Sequence, residues 1–240
     1  MKFAPLLALG LLLASCGSSA AEEKRVRIFA SSSLSESFEA LTHAYMQLDP
    51  GVELELHVAG TPQLVAQITE GVNVDVFASA DLPSSHRALA ASDAAYEAIV
   101  FATNQLAIVV AKGNPQSVAG LADLAREDLL VALCGPEVPA GRYAREALAK
   151  AGVQVHSISD EPSVRSLVSK VELGELDAGV VYATDVRRAG VGSVTIRKEH
   201  QVTAQYPIAV LQAGPGQDFV QFVLSEEGQR VLRAFGFEVP

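Results

Sequence analysis

Residues 26–78 read VRIFASSSLSESFEALTHAYMQLDPGVELELHVAGTPQLVAQITEGVNVDVFA, and the hydrophobic period changes four times along them. Residues 26–30 form a short apolar run that ends in Ser31-Ser32-Ser33. Leu34, Phe38, Leu41 and Tyr45 then recur at helical spacing, with Ser33 and Glu36 at capping-box distance. After Asp49-Pro50-Gly51, the alternation of Val52, Leu54, Leu56 and Val58 with polar residues predicts a half-buried strand. Thr61-Pro62 reads as N-cap and first helical residue, with Leu64, Val65 and Ile68 on one face. Gly71 ends that helix, and residues 74–78 supply a third strand. Strand, helix, strand, helix, strand with short connections is a βαβαβ unit, which implies a parallel sheet.

The same alternation continues outward from this stretch. Strands are expected at residues 108–111, 130–133, 153–158, 178–182 and 206–211, and helices at 142–151, 163–173 and 218–235. Two α/β lobes of roughly 100 residues each accommodate these elements better than one sheet of about ten strands. No internal repeat or heptad pattern interrupts them.

The N-terminus is read separately. Lys2 precedes an apolar run at residues 6–13 that is too short to span a bilayer. Leu13-Ala14-Ser15-Cys16 has the form of a lipobox cleaved before Cys16, and Gly17-Ser18-Ser19-Ala20-Ala21 makes a flexible tether. The alternative is an ordinary secretory signal with a chance cysteine. The first reading makes residues 1–15 a signal peptide, residues 16–23 a lipid-anchored tether, and the protein extracytoplasmic. With Cys16 acylated, Cys134 has no disulfide partner, and its place at the end of an apolar run suits a small buried hydrophobe.

Hydrophobic residues make up 49% of the chain and charged residues 19%, as in a globular α/β protein. Without Lys2 the chain carries 17 basic and 28 acidic residues, a formal charge of −11. No basic stripe exists to neutralise phosphates, which argues against nucleic acid as a partner. A P-loop, a complete dinucleotide fingerprint and a nucleophile elbow are all absent, and His43, His57, His86, His156 and His200 are scattered without metal-ligand spacing. What remains is a set of strand-to-helix junctions rich in donors: Ser31 to Ser33, Gly60-Thr61-Pro62, Pro139-Ala140-Gly141 and Ser163-Val164. Each is explained by helix capping alone. Four of them in two lobes also suit a small-anion site, because free N–H groups and helix dipoles converge there.

The segments Phe29-Ala30-Ser31-Ser32-Ser33-Leu34, Asp75-Val76-Phe77-Ala78-Ser79-Ala80-Asp81, residues 135–144 (with Val138-Pro139-Ala140-Gly141) and Gly179-Val180-Val181-Tyr182-Ala183-Thr184-Asp185 resemble the periplasmic molybdate-binding proteins. Val164-Arg165 and Phe235-Gly236-Phe237 fit the same pattern, so the resemblance runs from about Val26 to Phe237. It implies a two-lobed type II periplasmic binding protein with its ligand cleft between the lobes. Residues 24–101 and 206–240 would form the first lobe, and residues 102–205 the second.

The resemblance further implies molybdate or tungstate as ligand, no cofactor, no catalysis, a monomer, and the permease and ATPase of an ABC importer as partners. The oxyanion would be held by Ser33, Thr61, Ala140, Val164 and Tyr182, the alanine and valine through backbone N–H groups. Thr61 and Pro62 depart from the family's pattern, and the 135–141 loop is one residue shorter than its commonest form. Arg165 has two readings, a direct anion ligand or a side chain packed beside the cleft. Other ligands fit the same fold: sulfate, thiosulfate, an organic anion, or an amino acid held by Asp81 and Arg165. A secreted hydrolase with Ser33 as nucleophile is the enzymatic alternative, and no base stands at an interpretable spacing.

Overall fold

The computed structural model describes residues 24–92, 96–187 and 190–240; Cys16, the signal segment and the tether lie outside them. Among the described residues, ten strands form two five-stranded sheets. The first sheet holds β1 (Lys24–Ser31), β2 (Val52–Ala59), β3 (Val76–Ala78) and β4 (Ile99–Asn104). The second holds β5 (Leu106–Ala111), β6 (Val131–Cys134), β7 (Asp160–Glu161), β8 (Ala178–Tyr182) and β9 (Val191–Thr195). β10 (Ala204–Val210) returns to the first sheet.

The strand orders are β2-β1-β3-β10-β4 and β7-β6-β8-β5-β9. The βαβαβ unit is as expected: β1 pairs in parallel with β2 from Lys24↔Val52 to Ser31↔Ala59, and with β3 on its other side. Its helices are α1 (Ser35–Leu48) and α2 (Thr61–Thr69). The α1 stripe of Leu34, Phe38, Leu41 and Tyr45 is buried, with Phe38 edge-on to Phe101 at 5.8 Å. The remaining helices are α3 (Leu82–Ala90), α4 (Pro139–Ala151), α5 (Val164–Glu172), α6 (Gly216–Leu224) and α7 (Glu226–Ala234).

The chain crosses between the sheets twice. Gln105 is the single residue between β4 and β5, and the return leads from β9 into β10. Gln201 ties the two crossings together: its side chain accepts from Leu106 N–H at 3.1 Å and donates to Leu106 C=O at 2.8 Å. The C-terminus is pinned beside them, where Thr103 and Glu238 exchange backbone bonds of 2.7 and 3.0 Å.

Several local expectations are corrected. Residues 153–158 form no strand, although their side chains alternate in exposure. Ile158 N–H reaches Val131 C=O at 2.9 Å, but the next donor, Leu133 N–H, is taken by the Ser157 hydroxyl at 3.0 Å, so the backbone pairing does not continue into a ladder. The Ser33–Glu36 capping box does not form, because a short 3₁₀ turn (Ser32–Leu34) precedes α1 and Leu34 is the N-cap. Gly60 caps α2, which makes Thr61 its first residue. α4 starts at Pro139, not Arg142, with proline at the position where its missing N–H costs nothing. The C-terminal helix is two helices, broken at Ser225, whose hydroxyl accepts from Gly228 N–H. A Cβ on Gly228 would collide with the Phe222 carbonyl, so the glycine permits this tight break. Cys134 is fully buried, and burial pushes its thiol far above the ordinary range, as suits a core residue.

Candidate functional site

In both lobes, the residues singled out from sequence stand at the carboxyl ends of adjacent parallel strands. Ser33 follows β1, Thr61 follows β2 and Asp81 follows β3 in the first lobe. Ala140 follows β6, Val164 follows β7 and Tyr182 ends β8 in the second. This is where open α/β sheets leave a crevice, because successive helices depart to either face.

Helix geometry leaves donors free at each junction. The first bond within α4 runs from Arg142 N–H to Val138 C=O at 3.1 Å, so the Ala140 N–H lies ahead of the helical ladder. In α5, Ser163 caps Ser166 N–H at 3.1 Å and the ladder starts at Leu167, leaving the Val164 N–H ahead of both. Gly141 sets the approach of α4: a Cβ there would collide with the carbonyls of Cys134 and Gly135, so only glycine lets the helix start this close to the end of β6.

The two lobes touch across the crevice. Gly60 meets Pro162 so closely that a Cβ on Gly60 would lie 2.5 Å from the Pro162 carbonyl oxygen. Asp81, only 2% exposed, caps α3 through Ser84 N–H at 3.0 Å and forms an ion pair with Arg142 of α4. Arg165 donates from Nη1 to Ser35 Oγ at 3.2 Å, and the guanidinium borders a cavity of about 390 Å³ with Ser32, Ser33, Ser35, Thr184 and Asp185. Arg165 thus links the two lobes and also lines the cavity between them, where both of its readings keep it.

Five hydroxyls stand at the junction. Thr61 Oγ1 and Ser31 Oγ pair at 2.7 Å, both buried. Tyr206 donates to Ser33 Oγ at 3.2 Å. The Tyr182 hydroxyl is buried and has no hydrogen-bond partner among the described residues. The Tyr182 backbone is held where its N–H donates to Asp185 Oδ2 at 3.1 Å. The Tyr182 ring packs edge-on against Tyr206 at 5.5 Å and Tyr143 at 6.4 Å. Burial pushes the phenols of Tyr182 and Tyr206 well above their ordinary range and that of Tyr143 up to about 12. All three remain protonated at neutral pH, so Tyr182 can serve as a donor across the physiological range.

An unsatisfied buried hydroxyl costs about 1–3 kcal/mol. With the N–H groups at the starts of α4 and α5 and the hydroxyls of the first lobe, this arrangement suits a small, proton-free anion. Among the described residues, no group of three His, Cys, Asp or Glu side chains is placed to hold a metal ion.

A family model for bacterial extracellular solute-binding proteins matches residues 26–238. The chain belongs to that family. As a solute-binding protein it is 34% identical over 223 residues to the molybdate-binding protein ModA of Mycobacterium tuberculosis, a match spanning 90% of this chain and 85% of that one. Two solved solute-binding proteins share its fold. The periplasmic molybdate-binding protein of Azotobacter vinelandii superposes with a TM-score of 0.73 at 17% identity, over 90% of this chain and 99% of that one. The sulfate-binding protein SubI from Mycobacterium tuberculosis superposes with a TM-score of 0.79 at 17% identity, over 89% and 86%.

Sequence reasoning passed over three features of this candidate site: Tyr206, the Asp81–Arg142 pair and the Gly60–Pro162 approach. The first was visible only as a strand residue, and the other two join residues 61 and 102 positions apart. No periodicity or motif connects such pairs.

Proposed function

We propose that this protein captures molybdate, or tungstate of the same shape and charge, outside the cytoplasm and delivers it to the permease and ATPase of an ABC importer. Ser33, Thr61, Ala140, Val164 and Tyr182 hold the oxyanion. The observation that carries this reading is the buried, unpartnered Tyr182 hydroxyl, a donor held at a junction of other donors. The 34% identity to a molybdate-binding protein supports the choice of anion. A single chain supplies both lobes, so the protein works as a monomer, and it needs no cofactor.

The surroundings of Ser33 support binding without catalysis. Its hydroxyl is bonded to Tyr206, a phenol whose pKa is raised by burial and which already donates its proton, so it does not act as a base.

Selectivity follows from the donors. Asp81 already accepts from Ser84 N–H and Arg142, and Asp185 from Tyr182 N–H. Molybdate and tungstate are unprotonated dianions at neutral pH, and every oxygen accepts. Phosphate retains a proton that would face donors, at a cost of about 1–3 kcal/mol. Sulfate has the charge but shorter bonds, which leaves some fixed donors out of reach. In a thermal-shift series at equal ionic strength, molybdate and tungstate are expected to raise the melting temperature at micromolar concentration, sulfate weakly and phosphate hardly at all. Equal stabilisation by sulfate would overturn the choice of anion. A preference for phosphate would place a free carboxylate in the site.

The Leu13-Ala14-Ser15-Cys16 segment supports lipid attachment at Cys16. None of the described helices is long and apolar enough to cross a membrane. The wild-type protein is therefore expected in the detergent phase of a temperature-induced phase separation, and Cys16→Ser in the aqueous phase. A mutant still found with detergent would refute acylation at this residue.

A further inference from the structure

Tyr206 is fully buried on β10, the strand by which the chain re-enters the first sheet. It touches a candidate side-chain donor from each lobe. Its hydroxyl donates to Ser33 Oγ at 3.2 Å, and its ring meets the Tyr182 ring edge-on at 5.5 Å, with the planes inclined by 65°. Behind it, Phe101 at 6.5 Å and Phe237 at 5.3 Å pack against the same ring, so it has little room to turn.

The direction of the Ser33 bond matters. A serine hydroxyl has one proton to donate and lone pairs to accept with. When Ser33 accepts from Tyr206, its own proton points elsewhere, and Ser33 is half-buried at the edge of the crevice. Without that bond, the Ser33 proton has several rotamers to choose among, and ordering it on an anion costs more. The second hydroxyl of the lobe, Thr61, has a separate partner in Ser31 and gains nothing from Tyr206.

We infer that Tyr206 is a positioning residue for anion binding, acting through Ser33: it makes Ser33 an acceptor on one side so that its proton is presented to the ligand on the other. This rests on the oxyanion-binding reading above, and the test keeps the two apart.

The test is a double-mutant cycle by calorimetry with sodium molybdate on the purified protein. Tyr206→Phe retains the ring and its aromatic contacts and removes the hydroxyl, and should weaken binding about two- to tenfold. Ser33→Ala should weaken it about ten- to a hundredfold, and adding Tyr206→Phe to Ser33→Ala should produce no further loss. Combined with Thr61→Val, Tyr206→Phe should produce its full loss. An equal loss in all three backgrounds, the signature of general loosening, overturns the inference, as does unchanged affinity of Tyr206→Phe alone. If the wild type binds sulfate but not molybdate, the anion assignment fails, and the same cycle run with sulfate still decides the role of Tyr206. If it binds neither, both fail.

Discussion

Gly60→Ala is expected to weaken molybdate binding at least about a thousandfold, because closure brings three donors from the second lobe (Ala140, Val164 and Tyr182) that are together worth roughly 4.5–9 kcal/mol at about 1.5–3 kcal/mol each. The added methyl would lie 2.5 Å from the Pro162 carbonyl oxygen, and Pro162 immediately precedes the Ser163-Val164 junction. A backbone oxygen cannot swing aside as a side-chain end can, so the two lobes must stay apart. The fold itself should be indifferent. Gly60 has φ −58° and ψ 138°, a conformation open to alanine. Replacing a glycine N-cap costs at most about 1 kcal/mol, offset by a similar loss of unfolded-chain freedom. Calorimetry and the melting temperature of the unliganded protein together check this. Unaltered affinity would mean that the Gly60–Pro162 approach is no part of the liganded form.

Tyr182→Phe should move affinity and stability in opposite directions. The hydroxyl is buried without a partner, so removing it relieves about 1–3 kcal/mol of unsatisfied desolvation in the unliganded form. For a chain of this size that is a rise in melting temperature of about 2–10 °C. The phenylalanine ring keeps its contacts with Tyr143 and Tyr206. Binding loses one charge-assisted bond and should weaken about ten- to a hundredfold. Loss of affinity with loss of stability would instead describe a packing residue. A rise in stability with unchanged affinity would remove Tyr182 from the site.

The two variants probe different layers of one design. In the proposed site Tyr182 is a contact, and the cost of its unpartnered hydroxyl favours a ligand there. Gly60 decides whether the lobes meet. The Asp81–Arg142 pair belongs to the same closing surface: the buried carboxylate draws its cation from the second lobe, and an unpaired charge in that place would oppose closure.

Much of this was legible in the chain. The period changes along residues 26–78 specify a parallel βαβαβ unit, because burying one face of a helix or strand imposes its own spacing on the apolar residues. The donor-rich junctions after β1, β2, β6 and β7 were visible too, since serine, threonine, proline and glycine cluster where helices start. Local competition was not. Whether Ser33 would cap its own helix or pair with Tyr206, whether Thr61 would cap α2 or pair with Ser31, and whether residues 153–158 would join a ladder each turned on a partner far away in sequence. A hydroxyl gains a similar net energy from either bond, about 0.5–1.5 kcal/mol, so only the three-dimensional neighbourhood decides between them. The closing contacts between the lobes lie at the same limit: residues specify their own lobe through periodicity, but the meeting of Gly60 with Pro162 and of Asp81 with Arg142 depends on how two finished lobes are set by the crossings at Gln105 and Gln201.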